Sequence, residues 1–98
     1  MNMLFVVTAI DKPNALELRM ATREAHFEFV RSTGVAKLGG PFLDANGQMT
    51  GSLIVFEAKD IDAARAWHAS DPYVKAGLFA SSDVRPWKAT LNNCGASF

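Results

Sequence analysis

The chain predicts an α+β fold in which four strands form one antiparallel sheet and two helices lie on one of its faces, in the order β-α-β-β-α-β. Three observations carry that expectation. Short runs rich in Val, Ile and Phe alternate with stretches whose apolar groups follow a helical spacing. Asn46-Gly47 stands between the second and third of those runs, and this dipeptide suits a tight hairpin because both residues tolerate positive φ. The longest helical pattern, from Asn14 to Thr33, follows the first run directly after a break at Asp11-Lys12-Pro13.

Met3 to Ile10 is apolar at both parities, with Met3, Phe5, Val7 and Ala9 on one face and Leu4, Val6 and Ile10 on the other, as in a central strand covered on both sides. Asn14 or Asp11 is placed to cap the first helix, and Gly34 to end it in the left-handed position. Val35 to Leu43 is a second strand, interrupted at Gly39-Gly40-Pro41. An edge bulge explains those glycines, and so does backbone that must come close to a ligand at Gly40 and Pro41. Met49 to Ala58 is the third strand, with Ser52, Ile54, Phe56 and Ala58 sharing a face.

Asp60 caps a second helix, Ile61 to Ala69, which buries Ile61, Ala64 and Trp67. Asp71 before Pro72 starts one further helical turn, stopped by Gly77. Phe79 to Lys88 is the fourth strand, and Pro86, which offers no ladder donor, demands an edge. Ala89 to Phe98 shows no period and reads as a loosely held tail. The sum is the ferredoxin-like split arrangement in a single domain, residues 1–98. It leaves one apolar sheet face bare, so a homodimer with two sheets face to face is expected.

Composition narrows the function. Ten basic side chains balance ten acidic ones, and no basic run appears, which removes general attraction for nucleic acid or an anionic membrane. No apolar run has the length of a membrane span, and the lone Cys94 excludes an internal disulfide or a cysteine-rich metal site. A cytoplasmic location is expected. Two histidines and scattered carboxylates lack ligand spacing, and neither a phosphate loop nor a nucleophile elbow occurs, so no metal and no cofactor are expected.

What remains is the first helix. Advancing about 100° per residue gathers Glu17, Ala21, Glu24, Glu28 and Arg31 on a narrow wet side. The wide opposite arc holds Ala15, Leu16, Leu18, Met20, Ala25, Phe27, Phe29 and Val30, and with them Arg19, Thr22, Arg23 and His26. Inward charge is costly unless paired or open to a wet cleft. Either the arginines pair with Glu17, Asp71 or Asp83 and His26 is a bonded core group, or this face lines a pocket. Thr22 reads as bonding back to its own helix, Tyr73 as pocket wall, and His68 as structural or partly exposed.

"ELRMATREAH" around Arg19, Arg23 and His26, "GGP" from Gly39 to Pro41, "AWHASDPYVKAGLF" from Ala66 to Phe79 and "VRPWK" from Val84 to Lys88 together resemble the YciI-like (YCII-related) family. The resemblance implies the dimeric α+β barrel fold group, which includes muconolactone isomerase. It also implies a pocket shared by a helix His and the Asp of "DPY", here His26 and Asp71, and one relative is assigned to dechlorination of a chlorinated hydroxyquinol. His68 and the tail after Lys88 depart from the family's usual pattern. On this reading His26 and Asp71 form an acid/base pair, while Arg19 and Arg23, with Gly40, Pro41 and Tyr73, hold a small anionic or aromatic metabolite. The alternative is a ligand-binding or scaffolding dimer without chemistry.

Overall fold

The computed structural model describes residues 2–98, and the elements follow the expected order. They are β1 (Met3–Asp11), α1 (Leu16–Thr33), β2 (Ala36–Leu43), β3 (Met49–Ala58), α2 (Ile61–Ala69), α3 (Pro72–Lys75) and β4 (Phe79–Pro86). The strands form one antiparallel sheet in the order β2-β3-β1-β4, so β1 is central and both β2 and β4 are edges. The two prolines in the sheet, Pro41 and Pro86, therefore sit on edge strands, where a missing donor costs least.

Register explains the core. Phe5 pairs with Phe56, Val7 with Ile54 and Ala9 with Ser52, which puts the odd positions of β1 on the helix side. There Phe5, Val7, Ile54, Phe56 and Ala64 of α2 form the buried cluster, with Val84 and Trp67 packed against it. Trp67 is only half-buried: its ring stacks on Phe56 at 4.3 Å, and its indole N–H donates to Thr33 Oγ1 at 3.0 Å. On the opposite face Leu4, Val6 and Leu53 are half-buried and Ile10 and Leu38 are exposed, although Val55 among them is sealed.

Several local expectations are corrected. Neither Asn14 nor Asp11 caps α1: Ala15 is its N-cap without a side-chain bond, Asn14 takes a left-handed φ of 57°, and Asp11 is engaged with Arg19 instead. Gly34 does end the helix at φ 67°, its N–H returned to Val30. The arc of α1 that packs is much narrower than its apolar content suggests. Only Arg19 and His26 are buried, whereas Leu18, Met20, Ala25 and Phe27 are exposed. A helix lying on a sheet covers only one strip of its circumference, so the flanking apolar groups stay outside. β2 is continuous through Gly39-Gly40-Pro41, and its register shifts fall on either side, between Ala36 and Leu38 and between Phe42 and Leu43. After Pro86 no regular element follows, though Trp87 N–H still bonds Leu4 and its ring meets Phe98 edge-on.

Candidate active site

Two turns of α1 set the site. Arg19 and His26 are seven residues apart, almost two helical turns, and so leave the helix on one line toward the sheet. At the far end of that line is the α2–α3 junction, where Asp71 takes an extended conformation and caps α3 by accepting the Tyr73 N–H at 2.9 Å. The same carboxylate accepts His26 Nδ1–H, with Oδ1 at 2.8 Å and Oδ2 at 3.0 Å. Asp71 is 1% exposed and His26 8%. A carboxylate accepts and does not donate, so the proton of this bond sits on Nδ1, and in the neutral ring the lone pair is on Nε2. Among the described residues Nε2 has no partner and is not sealed, and His26 lines a cavity of about 300 Å³.

That cavity lies between α1 and the β2–β3 side of the sheet. Arg19, Arg23, His26, Gly40, Pro41 and Tyr73 all border it, together with apolar walls from Phe27, Val30 and Ile54. Asp71 does not line it and reaches it only through His26. Gly40 has open space where a Cβ would stand, whereas at Gly39 a Cβ would crowd Leu53 O at 3.1 Å and Ile54 Cγ1 at 3.2 Å.

The two arginines, indistinguishable in sequence, have different duties. Arg19 is 3% exposed and forks onto Asp11, Nε–Oδ2 at 2.8 Å and Nη2–Oδ1 at 3.1 Å, and Nη2 also donates to Ser52 Oγ at 2.7 Å. Its partner is thus Asp11, not Glu17, Asp71 or Asp83, and its charge is spent within the protein. Arg23 is exposed, lies over the Phe27 ring at 5.2 Å and has no carboxylate partner among the described residues. It is the uncommitted cation at the cavity. Thr22 donates to Leu18 O at 2.9 Å, as a helix threonine usually does.

Tyr73 ties the pieces together. It is 2% exposed, stacks on the His26 ring at 4.1 Å, and carries the Arg19 guanidinium 4.8 Å from its centroid. Burial pushes its phenol above the usual range, only partly opposed by Arg19 and Arg23. His68, expected to be structural or partly exposed, is buried against Phe79, with both ring nitrogens sealed and without partners among the described residues. Burial lowers its pKa, and the charge of Asp71 only partly offsets this. Its carbonyl accepts the Asp71 N–H at 3.0 Å, a link to the site that its side chain gives no hint of in sequence. Among the described residues no three His, Cys, Asp or Glu gather closely enough to hold a metal ion.

Fold and site together define a ferredoxin-like α+β domain whose helix-bearing face holds a cavity served by a carboxylate-backed histidine. Residues 3–88 match the YCII-related domain, and the chain belongs to that family. It is 36% identical over 95 residues to Protein YciI of Escherichia coli O6:H1, a match covering 88% of this chain and 97% of that one. An uncharacterized protein of Haemophilus influenzae is 34% identical over the same shares. Among solved structures, it is similar to 5-chloro-2-hydroxyhydroquinone dehydrochlorinase (TftG) from Burkholderia phenoliruptrix in complex with 2,5-dihydroxybenzoquinone. That likeness has a TM-score of 0.82 at 35% identity, over 88% of this chain and 94% of the other. An antibiotic biosynthesis monooxygenase, with a TM-score of 0.57 at 14% identity over 93% and 100% of the two chains, shares the fold alone.

Proposed function

We propose that this protein is a cofactor-independent acid/base enzyme acting on a small anionic, oxygen-bearing aromatic or unsaturated ring, by isomerisation, elimination or hydrolytic dehalogenation. The observation that carries the reading is the histidine: Asp71 holds Nδ1 and leaves Nε2 as a lone pair at the wall of a ligand-sized cavity. His26 takes a proton from the ligand and returns it at another atom. Asp71 fixes the ring and balances the charge the imidazole acquires. Arg23 meets the negative charge of the ligand, and Gly40, Pro41 and Tyr73 shape the space around it. The likeness to the dehydrochlorinase supports a flat, oxygen-rich ring of the kind bound there.

We further propose that the bare sheet face around Leu4, Val6 and Leu53 is covered by a second copy of the chain, because apolar side chains in one contiguous face are poorly placed in water. Among the described residues no helix is long and apolar enough to cross a membrane. The free thiol of Cys94 supports a reducing, cytoplasmic setting.

The test is a screen of chlorinated and hydroxylated quinols with product detection by mass spectrometry, repeated with His26→Ala. Turnover should fall by about 10² to 10⁴ with the fold unchanged, the usual share of general acid/base help. Ligands that bind and never change would instead identify a binding protein without chemistry.

A further inference from the structure

A buried phenol normally finds a partner for its hydroxyl, and most polar groups along this cavity have one. Arg19 is matched by Asp11 and Ser52, and His26 Nδ1 by Asp71. The Tyr73 hydroxyl, like His26 Nε2, has none among the described residues. Although its residue is 2% exposed, Oη makes no hydrogen bond among the described residues, and it is not one of the atoms sealed from solvent. Tyr73 is itself one of the residues that border the cavity.

Its direction is fixed. The backbone is pinned by Asp71, whose carboxylate accepts the Tyr73 N–H at 2.9 Å, and the carbonyl accepts Leu78 N–H at 3.1 Å. The ring is held by His26 at 4.1 Å and an interplanar angle of 17°, by Phe79 edge-on at 5.9 Å, and by the Arg19 guanidinium. A side chain with two rotatable angles, gripped on three sides, offers a hydroxyl that needs no reorganisation when a ligand arrives.

We propose that the Tyr73 hydroxyl is a catalytic hydrogen-bond donor to a substrate oxygen, one conjugated with the atom from which His26 takes its proton. This rests on the acid/base reading above and narrows its substrates to carbonyl, enol or quinol compounds. In the step, a C–H bond alpha to a carbonyl breaks and an N–H bond forms at His26 Nε2. The electron pair of the broken bond passes through the new carbon–carbon double bond onto the carbonyl oxygen, giving an enolate. Tyr73 O–H donates to that oxygen and keeps its own proton, so no oxidant, reductant or second substrate is consumed. Burial keeps the phenol protonated, which fits a donor and not a phenolate base. Arg23 handles permanent negative charge elsewhere on the ligand, and Tyr73 the charge that develops.

The experiment is Tyr73→Phe, which keeps the stack on His26 and removes one oxygen. Binding of 2,5-dihydroxybenzoquinone is measured by calorimetry and by infrared difference spectra of its carbonyl stretch, for wild type, Tyr73→Phe and Arg23→Ala. The expected result is binding to wild type, a roughly tenfold to hundredfold loss of affinity in Tyr73→Phe, and an upward shift of the carbonyl stretch that a packing defect would not cause. Equal affinity with an unshifted stretch in Tyr73→Phe, while Arg23→Ala is weakened, overturns the hydroxyl's role and leaves the acid/base reading standing. Failure of wild type to bind overturns both. Should Tyr73→Phe lose its thermal transition, 3-fluorotyrosine at position 73 replaces it, and an unshifted carbonyl stretch there counts against the proposal.

Discussion

Replacing His68 by Leu should make the protein more stable and less sensitive to acid. The imidazole is 8% exposed and packs on Phe79 at 6.0 Å, with neither ring nitrogen bonded nor reached by solvent. A buried polar group left without a partner costs about 1–3 kcal/mol. Leu has a similar volume and keeps the apolar contacts, so after some repacking loss the net gain should be about 1–2 kcal/mol. In a chain of this size each kcal/mol moves Tm by about 4–8 °C. The pH dependence follows from the direction of the shift. Burial holds the His68 pKa below its ordinary 6.5, with the pull of Asp71 too weak to restore it. As pH falls through 6.5 the unfolded chain takes up the proton while the folded one does not. Between that pH and the lower folded value, stability is therefore lost on acidification by at most about 1.4 kcal/mol per pH unit. Above that window the ring is neutral in both states and contributes no slope. Scanning calorimetry of wild type and H68L from about pH 8 to about pH 5 reads both effects, and the titrating groups that do not act on His68 cancel in the difference. An H68L protein that melts below wild type near neutrality, or whose Tm falls just as steeply with acid, would refute the reasoning.

Three further outcomes separate the roles assigned to the site. Asp11→Ala strands the Arg19 guanidinium in the core and should cost about 3–5 kcal/mol in urea titrations, whereas Arg23→Ala should stay within about 0.5 kcal/mol yet weaken binding of an anionic ring. Asp71→Asn keeps an oxygen to cap α3 but loses the charge behind His26. Turnover of any identified substrate should drop by about tenfold or more while circular dichroism stays native, and undiminished turnover would remove Asp71 from the mechanism. Light scattering at micromolar concentration should give twice the chain mass, and Leu53→Asp on the bare sheet face should halve it; a monomeric wild type would end the dimer proposal.

Sequence made the framework legible because two periods, one near two residues and one near 3.6, suffice to order the elements. The α2 cap at Asp60, the Gly34 terminus and the proline-tipped α3 were equally readable, since each depends on residues adjacent in the chain. The start of α1 was not. Asp11 had the right chemistry for a cap, but a buried guanidinium eight residues on competes for the same carboxylate, and pairing two otherwise stranded charges outweighs a cap worth about 1 kcal/mol. The glycines of β2 misled for a similar reason: the ladder shifts where neighbouring strands require it, at Ala36–Leu38 and Phe42–Leu43, and not where glycine merely permits it.

The arginines show where helical geometry stops being informative. A wheel gives the angle at which a side chain leaves the axis, and Arg19 and Arg23 differ there by only about 40°. It does not give depth. Four residues of rise put Arg19 over Asp11 and Ser52, with polar partners on two strands, and Arg23 beyond the reach of either. The consequence is a division of charge: one cation is neutralised inside the fold and braces the ring of Tyr73, while the other stays unpaired by any carboxylate of the described residues at the border of the cavity. A site built the other way, with its buried cation unpaired, would have to carry the full desolvation penalty whenever it was empty. On the proposed function the free charge at the exposed position is the one that meets an anionic ligand, so Arg23, and not the more deeply seated Arg19, should govern affinity.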